Sequence, residues 1–292
     1  MASAIVGIGE VLWDLLPDGR QLGGAPLNFA FHCHQLGQEA VVVSRVGCDE
    51  PGRAIRAELA SRALSHAYVQ EDAVHQTGSV GVHIGERGQP EFSIAEDVAY
   101  DYLTPDDTWD ALFGRALAVC FGTLVQRTEQ ARSAVHKALA LARNALVICD
   151  INLRQHFYDR ATIEDSLHFS RWVKLNVDEL SQLQPLLQLR GKSSSATLRD
   201  LRKRYDIELV CLTRGAHGCL LQTDDEEISV SGIPVEVVDT VGAGDAFTAG
   251  LLVKTLEGRL FTDAAMFANR FASRVAAARG GTPVVDVSDL KG

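Results

Sequence analysis

The chain has 292 residues, 46% hydrophobic and 23% charged, and its 28 Lys and Arg against 38 Asp and Glu leave a formal net charge of −10. This is the composition of an ordinary globular protein, and it argues against nucleic acid as a partner, which would need a basic face. A polyanionic ligand would have to be held by local N–H groups, a few Arg or Lys and a metal.

The N-terminus, Met1-Ala-Ser-Ala-Ile-Val-Gly7, lacks a basic leader and runs directly into an apolar strand predicted over Ala4–Val11. Leu12-Trp-Asp14 follows, placing an acid just past a strand end, where ligand groups sit in open α/β sheets. After the turn Pro17-Asp-Gly19 comes Leu22-Gly-Gly-Ala-Pro-Leu-Asn28. Pro26 suits the first turn of a helix that runs to Leu36-Gly37. Gly23 and Gly24 would let a ligand approach the backbone, although a structural turn explains them about as well. Asn28 offers both a donor and an acceptor to a hydroxyl.

Ala40–Val46 reads as a strand, followed by a helix to about Ser65. The stretches His66–Gln70, Thr77–Ile84 and Glu91–Ala95 then alternate apolar and polar residues, interrupted by Gly85-Glu-Arg-Gly88. That pattern predicts a small antiparallel sheet with one wet face. Together with Leu12–Leu22 it is read as a lid, about 12–22 and 66–97, inserted in a single α/β unit spanning 1–292. A β-ribbon at a subunit interface is the other reading, and both are compatible.

From Ala116 the chain returns to βα alternation. Strands are predicted at Ala116–Cys120, Leu146–Ile151, Trp172–Leu175 and Leu209–Thr213, and helices at Thr128–Asn144, Thr162–Phe169, Val177–Leu187 and Ala196–Tyr205. Such alternation implies a mostly parallel central sheet flanked by helices. Cys219–Gln222 and Ile228–Val230 flank an acidic hairpin, and Phe261–Arg279 reads as a long helix. The six cysteines include no Cys-x-x-Cys pair and read as buried free thiols. With no apolar run long enough to span a bilayer, a cytoplasmic location without membrane partners is expected.

The late stretch Val235–Gly250 carries the sharpest signal. Val235–Val238 is predicted as a short strand and Ala246–Leu256 as a helix, joined by Thr240-Val-Gly-Ala-Gly-Asp245. The two glycines permit close approaches, and the amides of Gly242, Ala243 and Gly244 would present N–H groups to an anion at a helix N-terminus. A carboxylate beside such a site repels the anion, so Asp245 needs a reason to be there. General base work on a hydroxyl is one; helix capping is the plainer alternative. No Walker P-loop occurs, and Phe247 stands where the dinucleotide fingerprint needs its third glycine. Further polar groups follow predicted strands: Asn152 and Arg154, Asn176 and Glu179, and the turn Thr213-Arg-Gly-Ala-His-Gly218. Glu179, three residues after Asn176, could also simply complete an N-terminal cap.

Taken together, Gly23-Gly-Ala-Pro-Leu-Asn28 with Leu36-Gly37, Asn176-x-x-Glu179, Thr213-Arg-Gly215 with Gly218, and Asp239-Thr-Val-Gly-Ala-Gly-Asp245 resemble the PfkB (ribokinase-like) carbohydrate kinases nearly end to end. The resemblance implies a ribokinase-like three-layer α/β fold with a β-sheet lid that often also makes a homodimer. It implies ATP-dependent phosphorylation of a sugar CH₂OH. Asp245 would then be the base, and Gly242, Ala243 and Gly244 the anion hole. Asp14, Gly24 and Asn28 would hold sugar hydroxyls, and Arg154 an anomeric or keto oxygen. Asn176 and Glu179 would organise Mg²⁺ and phosphates through water. Thr213, Gly215 and Gly218 would border the nucleotide, with Asn269 approaching adenine. Asp239, with carbonyls of Val241, Ala276, Arg279 and Gly281, matches where many members bind K⁺.

Gly9–Asp18, Phe121–Leu124 and Asp150–Arg154 resemble fructokinase-type members more than ribokinases, so D-fructose to fructose 6-phosphate is the expected reaction. 2-Keto-3-deoxygluconate kinase and ribokinase are the alternatives within the enzyme class. A non-catalytic sugar- or nucleotide-binding regulator is the alternative outside it, and the missing dinucleotide fingerprint excludes an oxidoreductase of that type.

Overall fold

In the computed structural model, residues 3–17, 19–84 and 90–290 are described. The first half runs β1 (Ala4–Ile8), β2 (Leu12–Leu16), β3 (Gly19–Gly23), α1 (Ala25–Gln35), β4 (Ala40–Gly47), α2 (Glu50–Ser61), β5 (Val69–Asp72), β6 (Gly78–Ile84), β7 (Pro90–Ile94), α3 (Trp109–Gly114), β8 (Ala116–Phe121) and α4 (Glu129–Leu141). The second half runs β9 (Leu146–Asp150), α5 (Arg160–Phe169), β10 (Trp172–Asn176), α6 (Val177–Leu186), α7 (Ser194–Tyr205), β11 (Leu209–Thr213), β12 (Cys219–Gln222), β13 (Glu227–Val230), α8 (Ala243–Leu256) and α9 (Phe261–Ala276).

A nine-stranded sheet in the order β13-β12-β11-β10-β9-β8-β1-β4-β5 forms the centre. It is parallel from β11 to β5 and antiparallel only where β12 and β13 close its edge. Its strands are near-continuous apolar runs because helices cover both faces. Alternate residues divide between two cores. Val6, Ile8, Val119, Cys149, Val173 and Leu175 join the helical layer that holds Val135, Leu167, Leu183 and Leu201. Ile5, Ala118, Ile148, Trp172 and Cys211 face Leu27, Phe31, Leu59, Phe247, Leu252 and Ala268. Helix α8 is buried along Ala246–Val253, as expected for a helix enclosed by neighbours on every side.

A second, four-stranded sheet has the order β3-β2-β6-β7. Both predicted parts of the lid contribute to it, but residues 66–70 do not. Val69–Asp72 instead extends the large sheet, pairing in parallel with Ser44–Gly47. A short strand with one wet face reads the same whether it edges a large sheet or belongs to a small one, and only its pairing partner decides. The small sheet is not purely antiparallel either, since β2 and β6 run parallel. Asp14 lies within β2 rather than just beyond β1. The predicted turn over 85–88 falls outside the described residues.

Val235–Val238 does not form the predicted strand. Val237 and Val238 are 57% and 62% exposed, and at the end of the stretch the Val238 and Asp239 amides donate to Ala276 O. β-Branched residues favour a strand only when a neighbouring edge supplies hydrogen bonds and packing. No described strand pairs with this segment.

Candidate active site

Side chains cap the N-termini of α2, α4, α5, α6 and α7, through Asp49, Thr128, Asp159, Asn176 and Ser193. Helix α8 differs. It begins at Ala243, three residues earlier than the apolar pattern indicates, after Gly242 with φ 75° and no side-chain cap. A Cβ on Gly242 would lie 2.3 Å from the Gly281 carbonyl oxygen, so only glycine fits that approach. The Ala243 amide makes a long 3.3 Å bond to Thr240 O. Among the described residues, the amides of Gly242 and Gly244 donate to no protein acceptor. The turn thus offers N–H dipoles at the positive end of a helix, suited to an anion.

Asp245 sits in this first turn, part-exposed, where its Oδ2 accepts from Asn28 Nδ2 at 2.8 Å. Burial of the carboxyl and the nearby Asp150 charge push its pKa up to about 6, while Lys174, the Asn28 hydrogen bond and Arg154 pull it down. A carboxylate so poised can take a proton near neutral pH and return it. Asn28 thus faces the predicted base directly, and its Oδ1 is buried without a partner.

Behind Asp245 lie two residues that sequence reasoning did not single out. Asp150 ends β9 and Lys174 is its registered neighbour on β10. Nζ donates to both carboxyl oxygens at 3.0 Å, and both residues are buried. Burial opposes the ammonium charge, but Asp150, Glu179 and Asp245 hold the Lys174 pKa above its ordinary value. A lysine inside the apolar run Trp172-Val-Lys-Leu-Asn176 was the available signal, since a buried charge requires a partner.

Toward the small sheet, a Cβ on Gly23 would come 2.3 Å from Asp14 Oδ2, and one on Gly24 (φ 116°) 2.3 Å from Glu10 O. Burial raises the Asp14 pKa to about 6, with Arg154 lowering and Asp239 raising it. Glu10, also absent from the sequence expectations, is 2% exposed, and its Oε2 has no partner. Burial lifts its pKa to about 7, offset in part by its own and the Ala25 amide and by Arg154, while Asp245 adds to the rise. The Arg154 charge therefore acts on Glu10, Asp14 and Asp245 together.

Across the sheet, Asn176 and Glu179 make a reciprocal cap. Asn176 Oδ1 accepts from Glu179 N, and the Glu179 carboxylate accepts from the amides of Asn176 (2.7 Å) and Leu153 (3.2 Å). Burial raises the Glu179 pKa and Lys174 opposes that rise. Thr213 ends β11 with Oγ1 donating to Leu175 O at 3.4 Å. Gly215 has open space where a side chain would stand, whereas Gly218 packs against Val230 O and Gly232 N. Asn269 donates to Ser231 O at 3.3 Å, so it braces the segment that covers Gly218.

The cation expectations meet a mixed donor set. Among the described residues, no group of three or more His, Cys, Asp or Glu gathers to hold a metal. That suits Mg²⁺ only as an ion carried by nucleotide phosphates, which is its usual mode. For K⁺ the five residues fit incompletely. Ala276 O already accepts two amides, Asp239 accepts from Val241 N and Gly280 N, and Gly281 O accepts from His32 Nε2 at 3.0 Å. Burial lowers the His32 pKa to about 4, so the ring is neutral and donates from Nε2.

Residues 19–287 match the family described as pfkB family carbohydrate kinase. A fructokinase of Salmonella typhimurium is 31% identical over 269 residues, 88% of this chain and 85% of that protein. The crystal structure of a sugar kinase from Pyrococcus horikoshii in complex with ATP is 29% identical with a TM-score of 0.82, covering 95% of this chain and 94% of that one. A fructokinase of Vibrio cholerae O395, crystallised with fructose, ADP and calcium, is 26% identical with a TM-score of 0.80, covering 97% and 95%. No described helix is long and apolar enough to cross a membrane.

Proposed function

The chain belongs to the pfkB family of carbohydrate kinases, and from that premise we propose that it transfers the γ-phosphoryl group of ATP to the primary hydroxyl of a neutral sugar, with D-fructose giving fructose 6-phosphate. The Asp245 carboxylate takes the hydroxyl proton as the new O–P bond forms and the bond to the leaving ADP breaks. The amides of Gly242, Ala243 and Gly244 hold the charge on the transferring group, which is most of what such a transfer asks of a protein. Asp14, Gly24, Asn28 and Arg154 line the sugar side. Thr213, Gly215, Gly218 and Asn269 border the nucleotide. The small sheet, as a lid on a single 1–292 unit, keeps water from the site.

Mg²⁺, bound to the phosphates with Glu179 reaching it through water, would supply charge neutralisation of the leaving group. The Ala276 carbonyl, with both lone pairs engaged by the Val238 and Asp239 amides, is not free to join a K⁺ site.

One observation carries the choice of a neutral acceptor: Glu10, Asp14 and Asp245, on the side assigned to the sugar, all lie in the field of the Arg154 guanidinium. The carboxylate of 2-keto-3-deoxygluconate would add negative charge beside three carboxyl groups whose pKa values are already raised, which Arg154 and Lys174 together offset only in part. The fructokinase relative supports the same choice. An ADP-release panel with fructose, ribose, glucose and ketodeoxygluconate tests it. Fructose is expected to give the highest kcat/KM. Preference for the acidic sugar overturns the neutral-acceptor reading, and no turnover with any sugar favours a binding role.

A further inference from the structure

Lys174 and Asp150 sit on the strand face that looks toward α8, alongside Ile148 and Trp172 and opposite Val173 and Leu175. The ammonium packs directly beneath the anion-accepting turn, since a Cβ built on Gly244 would lie 2.8 Å from Nζ. Gly244 is the second residue of α8 and Asp245 the third. A buried ion pair at this depth gains little stability over apolar residues of similar size. Its position, one helical step from the base, is therefore the feature that needs an account.

We propose that Lys174 and Asp150 are a positioning pair for the transfer, opposed fixed charges that set the charge balance at Asp245 while the ammonium backs the Gly242–Gly244 amides. This rests on the reading of Asp245 as the base. The pair provides a rigid cation where no flexible P-loop lysine exists, and its ion pair holds the ammonium in register with the turn. Lys174 does not need to touch substrate; it acts through the turn and through Asp245.

The other groups that face Asp245 do not duplicate this arrangement. Arg154 lowers its pKa from the loop after β9, and Asn28 does so from α1 by hydrogen bonding. Its charge is felt in turn by Glu10 after β1 and by the Cys120 thiol on β8. Lys174 is faced by Asp150, Glu179 and Asp245, and its charge also reaches the Cys211 thiol on β11. On Asp245, Asp150 and Lys174 act in opposite directions.

That opposition supplies the test. Asp150→Asn and Lys174→Met break the same ion pair, so a purely structural role predicts similar damage and no divergence in pH dependence. A tuning role predicts that the acid limb of kcat/KM against pH moves up by about 1 unit in Lys174→Met and down by about 1 unit in Asp150→Asn. Asp150→Asn keeps an oxygen for the ammonium and so decides alone should Lys174→Met not fold. Limbs that stay in place, or move the same way in both variants, overturn the proposal. Asp245→Asn is measured alongside. Retained turnover there would remove the base, and this inference with it, whereas loss of turnover there with unmoved limbs in the pair variants sinks only the pair.

Discussion

Asn28 Nδ2 donates to Asp245 Oδ2 at 2.8 Å across 217 positions of sequence, joining the first turn of α1 to the first turn of α8. The bond stabilises the ionised carboxyl and aims it. A hydrogen bond to a charged group is worth about 1.5–3 kcal/mol. Asn28→Ala is therefore expected to lower kcat about 10- to 100-fold and to move the acid limb of the rate profile upward. A rise in sugar KM with kcat and the limb both unmoved would mean that Asn28 serves the sugar alone and not the base.

Asp245→Asn preserves shape and the contact with Asn28 but cannot accept the proton. General base catalysis contributes about 10²–10⁴ in rate, and kcat is expected to fall by that much. The thermal midpoint should stay at or above that of the parent, because a carboxyl that burial holds at a raised pKa is replaced by a neutral group. A near-normal kcat would remove Asp245 from the chemistry.

Glu10 links the site to stability. Its folded pKa of about 7 lies above the ordinary 4.5, so the native state binds the proton more tightly than the unfolded chain. Its ionisation therefore costs stability as pH rises from about 4.5 through 7, and the cost is fully present above that range. Glu10→Gln is expected to gain on the order of 1–3 kcal/mol at pH 8 and nothing below about pH 4.5. Urea unfolding at the two pH values measures it, and a gain equal at both would mean that packing, not charge, is responsible.

Gly242→Ala puts a methyl 2.3 Å from Gly281 O at a residue with φ 75°. Strain of about 1–3 kcal/mol and displacement of the turn are expected together. Denaturant unfolding should report the first, and a kcat loss without a comparable rise in ATP KM the second. Unchanged kcat would detach the turn's geometry from the transfer.

Much of this protein was legible in its residues. The βα alternation, the glycine turn before α8 and the strand-end motifs all depend on local periodicity and on glycine's freedom, which neighbours in sequence decide. The resemblance carried the fold and the family from those same residues. Val235–Val238 shows the limit, because a valine run becomes a strand only if another edge is free to pair with it. Val69–Asp72 shows it again, since alternation says which face is wet but not which sheet is joined.

The βα alternation, the carbohydrate-kinase family and the glycine turn before α8 were thus determined by the sequence itself. Only the tertiary structure decided that Asn28 meets Asp245, that Lys174 lies in register with Asp150, and that Glu10 is buried without a partner for Oε2. The reason is physical. A buried charge acquires its energy from whatever group the fold brings within a few ångströms, and that group is chosen by strand register and helix packing rather than by proximity along the chain.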